Sequence, residues 1–209
     1  MGIFAEGRSG GGTAGHLSAR FGANGRAGEA GEKYYADALR RAGIDEKYEV
    51  YHGVAIPQIA RDKQPPRGDV DFAIASGHNL VLVDVKAWAP AIYWSIPRLG
   101  PMKNLTPLRK SNGEWSLSNN MNMALERFKA KLPGVAVSAI VVFVPSGGRG
   151  PIPQVDLLMF PGMIRSLRAS VSYSRIETVL GEPREVDPAI SVLLHRLKLH
   201  MSLSTGSKH

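Results

Sequence analysis

The sequence contains no cysteine in 209 residues. That excludes disulfides and any thiolate-ligated zinc or iron–sulfur centre, and it fits a reducing compartment. Long apolar runs are missing as well. No stretch reaches the roughly 18 residues that a bilayer span requires. The opening Met1-Gly-Ile-Phe-Ala-Glu6 lacks a basic segment followed by an apolar one, so no secretory signal is expected. A cytoplasmic chain with no membrane partner is the expectation, and the Asn104-Leu-Thr106 sequon is then accidental. Other absences narrow the chemistry. There is no Gly-x-Ser-x-Gly elbow, and Gly147-Gly-Arg-Gly150 lacks the lysine and Ser/Thr of a phosphate-binding loop. The six histidines include no pair at ligand spacing on one element. Acidic side chains are in deficit, 18 Asp and Glu against 26 Lys and Arg, a formal charge of +8. Such a surface attracts phosphate backbones.

What is present reads as one domain, since 44% hydrophobic residues supply an ordinary core for this length. Residues 1–27 are rich in Gly, Ser and Ala with scattered arginines and predict a flexible arm, either phosphate-contacting or inert. Residues 28–202 form the domain, with a core over about 28–145 and C-terminal additions over 146–202; residues 203–209 are a loose tail. Apolar spacing predicts helices over about 29–42 and 119–132, and a last helix opened by Asp187-Pro188. Strands are predicted over 47–56, 69–75, 80–87 and 135–144, with an edge strand over 155–160 and a short helix from Pro161 to about Ala169. The fold class is α/β, a mixed sheet flanked by helices.

The unusual feature lies in the two middle strands. Asp71, Asp84 and Lys86 sit in runs that are otherwise strongly apolar. Charges in such surroundings cost free energy unless they are paired or bind an ion. If Ser76-Gly-His-Asn79 is a symmetric hairpin turn, paired residues sum to 155 and Asp84 faces Asp71, with Lys86 beside them. Phe72, Ile74, Val81, Val83 and Val85 then make an all-apolar opposite face. Two opposed carboxylates repel unless a cation lies between them, and Mg²⁺ or Mn²⁺ fits such a pair. Lys86 reaches the same space and can stabilise charge growing on a phosphorane-like transition state. A salt bridge on an exposed sheet face is the plain alternative, and a register shifted by one residue would separate the aspartates. Glu32 lies on or beside the apolar side of the first helix. Trp88, Tyr93, Trp94 and Trp115 interleave with Arg98, Lys103, Arg109 and Lys110, a mixture suited either to nucleic-acid contact or, for the tryptophans, to core packing.

Three stretches together resemble a known family. Gly28-Glu-Ala-Gly31-Glu32 resembles an opening Gly-x-x-Gly-Glu helix, Asp69-Val-Asp71 an Asp-Ile-Asp strand, and Asp84-Val-Lys86-Ala-Trp88 a strand ending in (Asp/Glu)-x-Lys-x-Trp. The set is similar to the PD-(D/E)XK nuclease superfamily, most of all to its nuclease-related domain (NERD) group. The resemblance implies a restriction-endonuclease-like core of order α-β-β-β-α-β and metal-dependent hydrolysis of DNA, with RNA left open and a homodimer compatible. By position it implies Asp71, Asp84, Glu32 and the backbone carbonyl of Val85 around Mg²⁺ or Mn²⁺, with Lys86 as the catalytic lysine. Trp88, Arg98, Lys103, Arg109 and Lys110 are the candidate nucleic-acid contacts. The family's Asn-Pro…Gln segment is absent; Ser118-Asn-Asn-Met-Asn122 stands there, where an asparagine can replace the polar contact or merely cap the helix. A non-catalytic DNA-binding or assembly module that keeps the fold is the alternative function.

Overall fold

The computed structural model describes residues 23–64, 66, 68–96, 100–107, 120–145, 154–155 and 165–204. In chain order the elements are α1 (Ala23–Arg41), α2 (Ile44–Lys47), β1 (Glu49–Ala55), β2 (Asp69–Ser76), β3 (Asn79–Trp88), β4 (Ile92–Ile96), β5 (Gly100–Lys103), β6 (Thr106–Pro107), α3 (Asn120–Lys131), β7 (Ala136–Pro145), β8 (Gln154–Val155), β9 (Arg165–Arg168), α4 (Ala169–Leu180) and α5 (Pro188–Ser204). The main sheet has the order β1-β2-β3-β7-β9. Its first three strands are antiparallel, while β7 runs parallel to β3 and β9 parallel to β7. The second sheet has the order β6-β5-β4-β8.

Helices cover both faces of the main sheet. On one side Met121, Ala124 and Phe128 of α3 and Ile190, Leu194 and Leu197 of α5 pack with Ala73, Leu80, Leu82 and Phe143. On the other, Tyr35 and Leu39 of α1, Ile44 of α2 and Ile176 and Leu180 of α4 pack with Phe72, Ile74, Val81, Val83, Val85 and Val142. This is why β7 reads as a nearly unbroken apolar run: a strand covered on both faces has no polar side to present. The predicted hairpin register holds from Ser76↔Asn79 to Phe72↔Val83, each pair summing to 155. Asp187 caps α5, its Oδ1 accepting the Ala189 N–H at 2.7 Å, and its own N–H donates to the Gly77 carbonyl at 2.9 Å.

Several expectations are corrected. The first helix starts at Ala23 rather than near Glu29, so residues 23–27 of the expected arm are helical; residues 1–22 lie outside the described residues. Its glycines disguised the helix, and Gly31 is there for close packing, as shown below. Residues 165–168 are a strand, not the end of a helix. The free edge of β7 needs hydrogen-bond partners, and β9 supplies them over Ile140↔Arg165 to Phe143↔Arg168. Residues 161–164 and 156–160 lie outside the described residues; of the expected edge strand only Val155 is described, as the end of β8, which pairs with β4. The last helix runs to Ser204, past the predicted start of the tail. Arg127 of α3 is largely buried in a two-point ion pair with Asp62, Nη2 to Oδ1 at 2.6 Å and Nε to Oδ2 at 3.2 Å. Among the described residues no helix is long and apolar enough to cross a membrane.

Candidate active site

The acidic residues meet where β2 parts from β3. The ladder between these strands ends at Phe72↔Val83, one step before the expected Asp71–Asp84 pair. Beyond that point the Val85 N–H donates to Oδ2 of Asp71 at 2.5 Å, a side chain standing where a strand carbonyl would otherwise accept. Direct opposition of two carboxylates is unfavourable, and the splay relieves it.

A second irregularity sits on the same residue. Pairs between β1 and β2 sum to 124 throughout, from Glu49↔Ala75 to Ala55↔Asp69, with the Gly53–Asp71 position missing. Tyr51 and Val54 both belong to the α3-side core, and so do Val70 and Ala73. Residues three apart share a face only if the two-residue alternation slips once between them. The slip falls at Gly53 and Asp71, and Gly53 holds φ +63, a conformation open to glycine at little cost. Asp71 is thereby re-aimed while the register on both sides is kept.

Lys86 answers Asp84 from two residues along β3. Its Nζ donates to Oδ1 of Asp84 at 2.9 Å and lies 2.7 Å from Oδ2. Burial by itself would lower the Lys86 pKa, but the carboxylates of Asp84, Asp71 and Glu32 outweigh it and raise the group above its usual value. Lys86 is therefore an ammonium at neutral pH, a fixed positive charge rather than a base. Asp71 is pushed well above the ordinary carboxylate range, first by burial, then by Asp84 and Glu32; Lys86 and the Val85 N–H offset this only in part.

Glu32 reaches the cluster from α1. The helix lies close against the end of β3: a Cβ added at Gly31 would come 2.6 Å from Ala87 Cβ and 3.1 Å from Val144 Cγ2. Only a residue without a side chain lets the helix approach so near. Glu32 is 16% exposed, and its Oε2 accepts a hydrogen bond from Nε2 of His52 at 3.3 Å. The His52 ring in turn stacks on Phe72, centroids 4.7 Å apart and 19° between planes.

The structure thus brings together Asp71, Asp84, Lys86 and Glu32, with the Val85 backbone beside Asp71. Three carboxylates face one lysine, an excess of negative charge that suits a divalent cation. Among the described residues no group of three or more His, Asp or Glu side chains converges tightly enough to enclose a metal ion by itself. In their present positions at most two of these carboxylates would hold one cation together. Trp88 packs against Tyr93 and Phe143, centroids 4.6 and 4.9 Å away, in a core role. Lys103 is half-buried on β5 opposite Tyr93. Arg98, Arg109 and Lys110 lie outside the described residues. Asn120 opens α3 next to Gly68, where an added Cβ would sit 3.5 Å from its Nδ2. This places an asparagine beside the entry to β2, where the departure from the family pattern left a gap.

Sequence reasoning missed His52, Gly53 and the packing role of Gly31. A signal for His52 existed: it follows Val50 by two residues on a strand and so shares its packed face. Gly53 inside the same strand was a second, since such a glycine often marks a bulge.

Comparison with curated proteins and with solved structures returns no match. The family model of the nuclease-related domain (NERD) matches residues 27–144. That span runs from the helix carrying Glu32 through β7, contains every residue of the acidic cluster, and covers more than half of the chain. This chain belongs to the nuclease-related domain family.

Proposed function

We propose that the chain is a divalent-metal-dependent nuclease that hydrolyses phosphodiester bonds of DNA. The observation that carries this is the meeting of Asp71, Asp84 and Glu32 around a single protonated Lys86 at the splayed end of β2 and β3. Asp71 and Asp84 would hold Mg²⁺ or Mn²⁺, with the Val85 carbonyl and Glu32 contributing directly or through water. Such an ion, when bound, lowers the pKa of its water and offsets negative charge on the phosphate. Water oxygen bonds to phosphorus and loses its proton to solvent, the bond to the leaving sugar oxygen breaks, and that oxygen takes up a proton from solvent. Lys86 stays charged and stabilises the negative charge that builds on the phosphoryl oxygens. The +8 net charge supports a phosphate-backbone substrate, and Lys103 is a candidate contact to it.

The test is cleavage of plasmid and oligonucleotide DNA by the purified chain with Mn²⁺, Mg²⁺ or chelator. Cutting that requires the ion and disappears in Asp84→Ala supports the reading. Full activity in Asp84→Ala refutes the site. Salt-sensitive DNA binding with no cutting in any divalent ion, unchanged in Asp71→Ala, identifies a non-catalytic module instead.

A further inference from the structure

We propose that His52 is a positioning residue that holds Glu32 toward the Asp71, Asp84 and Lys86 cluster; this rests on the metal-nuclease reading above. Glu32 carries the same charge as Asp71 and Asp84, and the three repel one another at short range. A glutamate on a helix has a long, freely rotating side chain. Left alone it would swing outward, where water screens it. Instead it is mostly buried and accepts a hydrogen bond from His52 Nε2 at 3.3 Å.

His52 is itself fixed from two directions. Its ring lies flat on Phe72, its Cα partner across the β1–β2 ladder. Its chain neighbour is Gly53, where the ladder breaks and Asp71 is re-aimed. His52↔Phe72 is therefore the last regular pair before the site. One side chain links the helix acid to the strand that carries the sheet acid. Packing alone would be served by any flat apolar ring on Phe72. The Nε2 contact adds a direction that a phenyl ring lacks, and the contact is made to the one acidic residue of the cluster that comes from a helix.

The experiment compares wild type, His52→Phe, His52→Leu, His52→Gln, Glu32→Gln and the double variant His52→Phe/Glu32→Gln. Mn²⁺ affinity is read by calorimetry on the full chain, and DNA cleavage is followed as kcat and KM separately. His52→Phe keeps the stacked ring and loses the hydrogen bond; His52→Leu provides the same arm should the phenyl ring disturb folding. Either is expected to weaken Mn²⁺ binding and lower kcat by about 10-fold, with KM for DNA little changed. His52→Gln can still donate to Glu32 and recovers most of the loss. In the Glu32→Gln background His52→Phe adds less than about twofold, because the group it positions is already gone. Wild-type Mn²⁺ affinity and kcat in both His52→Phe and His52→Leu overturn the proposal, as do losses that multiply in the double variant. A wild-type chain that neither binds Mn²⁺ nor cuts DNA overturns the nuclease reading and this proposal with it. A wild-type chain that does both while the His52 variants are unchanged overturns this proposal alone.

Discussion

The backbone N–H of Val85 donates to the carboxylate of Asp71 at 2.5 Å, where two strands of a hairpin stop pairing. That one bond ties the two halves of the acidic cluster together. It also lets an acid sit in a sheet without a strand partner, because the side chain performs the acceptor role that the backbone has given up.

Asp71 binds its proton more tightly in the folded chain than in the unfolded one, since burial and two neighbouring carboxylates raise its pKa well above 3.8. Its contribution to stability is complete below about pH 3.8, declines as pH rises toward the folded-state value, and is lost above it. Asp71→Asn keeps an acceptor for Val85 and never ionises. The metal-free variant is expected to melt above wild type at neutral pH, by about 2–4 °C for each kcal/mol relieved, and to lack this decline. Calorimetry from about pH 4 to about pH 8 checks it, and a variant with the wild-type melting profile contradicts it. Cleavage by the variant should be absent.

Lys86→Met retains the aliphatic stem and removes the only lysine of the cluster. Asp84 then loses both contacts of its carboxylate to Nζ. We expect a loss of about 1–3 kcal/mol at neutral pH. Cleavage should fall by roughly 10²–10³-fold, mostly in kcat. Equal stability in denaturant titrations together with unchanged kcat would show that the lysine is decorative.

Two glycines of α1 should respond in opposite ways. Gly28 has nothing within 4 Å of an added Cβ, so Gly28→Ala should stabilise the helix by roughly 0.5–1 kcal/mol. Gly31→Ala gains the same propensity but drives a methyl group into Ala87 and Val144. The helix must move off β3, at a net cost of about 1–3 kcal/mol, and Glu32 moves with it. Thermal melts and Mn²⁺ titration of both variants provide the contrast; equal behaviour would mean that α1 does not depend on its close approach.

Arg127→Ala leaves the Asp62 carboxylate, 9% exposed, without its cation. Arg127 holds Asp62 below its usual pKa range through a paired hydrogen bond, helped by the Ile59 N–H. A loss of stability is expected, with faster proteolysis within residues 57–64, the segment this pair fastens to α3. The double variant Arg127→Met/Asp62→Asn should lose less, since no unpaired charge is left behind. Identical digestion rates in wild type and Arg127→Ala would rule out the fastening role.

The hairpin shows how much of the site was legible in the chain. Alternation of Phe72, Ile74, Val81, Val83 and Val85 set an all-apolar face apart from the face that carries the charges, and a two-residue turn then determined the register of the paired residues. Composition could do this because a one-residue slip would carry the charged side chains of one strand onto the all-apolar face. The Gly-Glu, Asp-x-Asp and Asp-x-Lys stretches were equally local, and the family match over residues 27–144 covers all three. The β9 strand could not be read this way. Arg165–Arg168 carries no strand pattern and is held by the free edge of β7, a partner about 25 residues away in the chain.

The sequence by itself determined the order of the core elements, the hairpin register and the identity of the acids and lysine, because each rests on a period or spacing within one segment. Only the tertiary structure decided that Asp71 leaves the ladder, that Gly31 lets α1 touch β3, and that His52 meets Glu32. Those three facts depend on contacts between segments far apart in the chain, where the geometry is set by backbone approach and by repulsion among like charges.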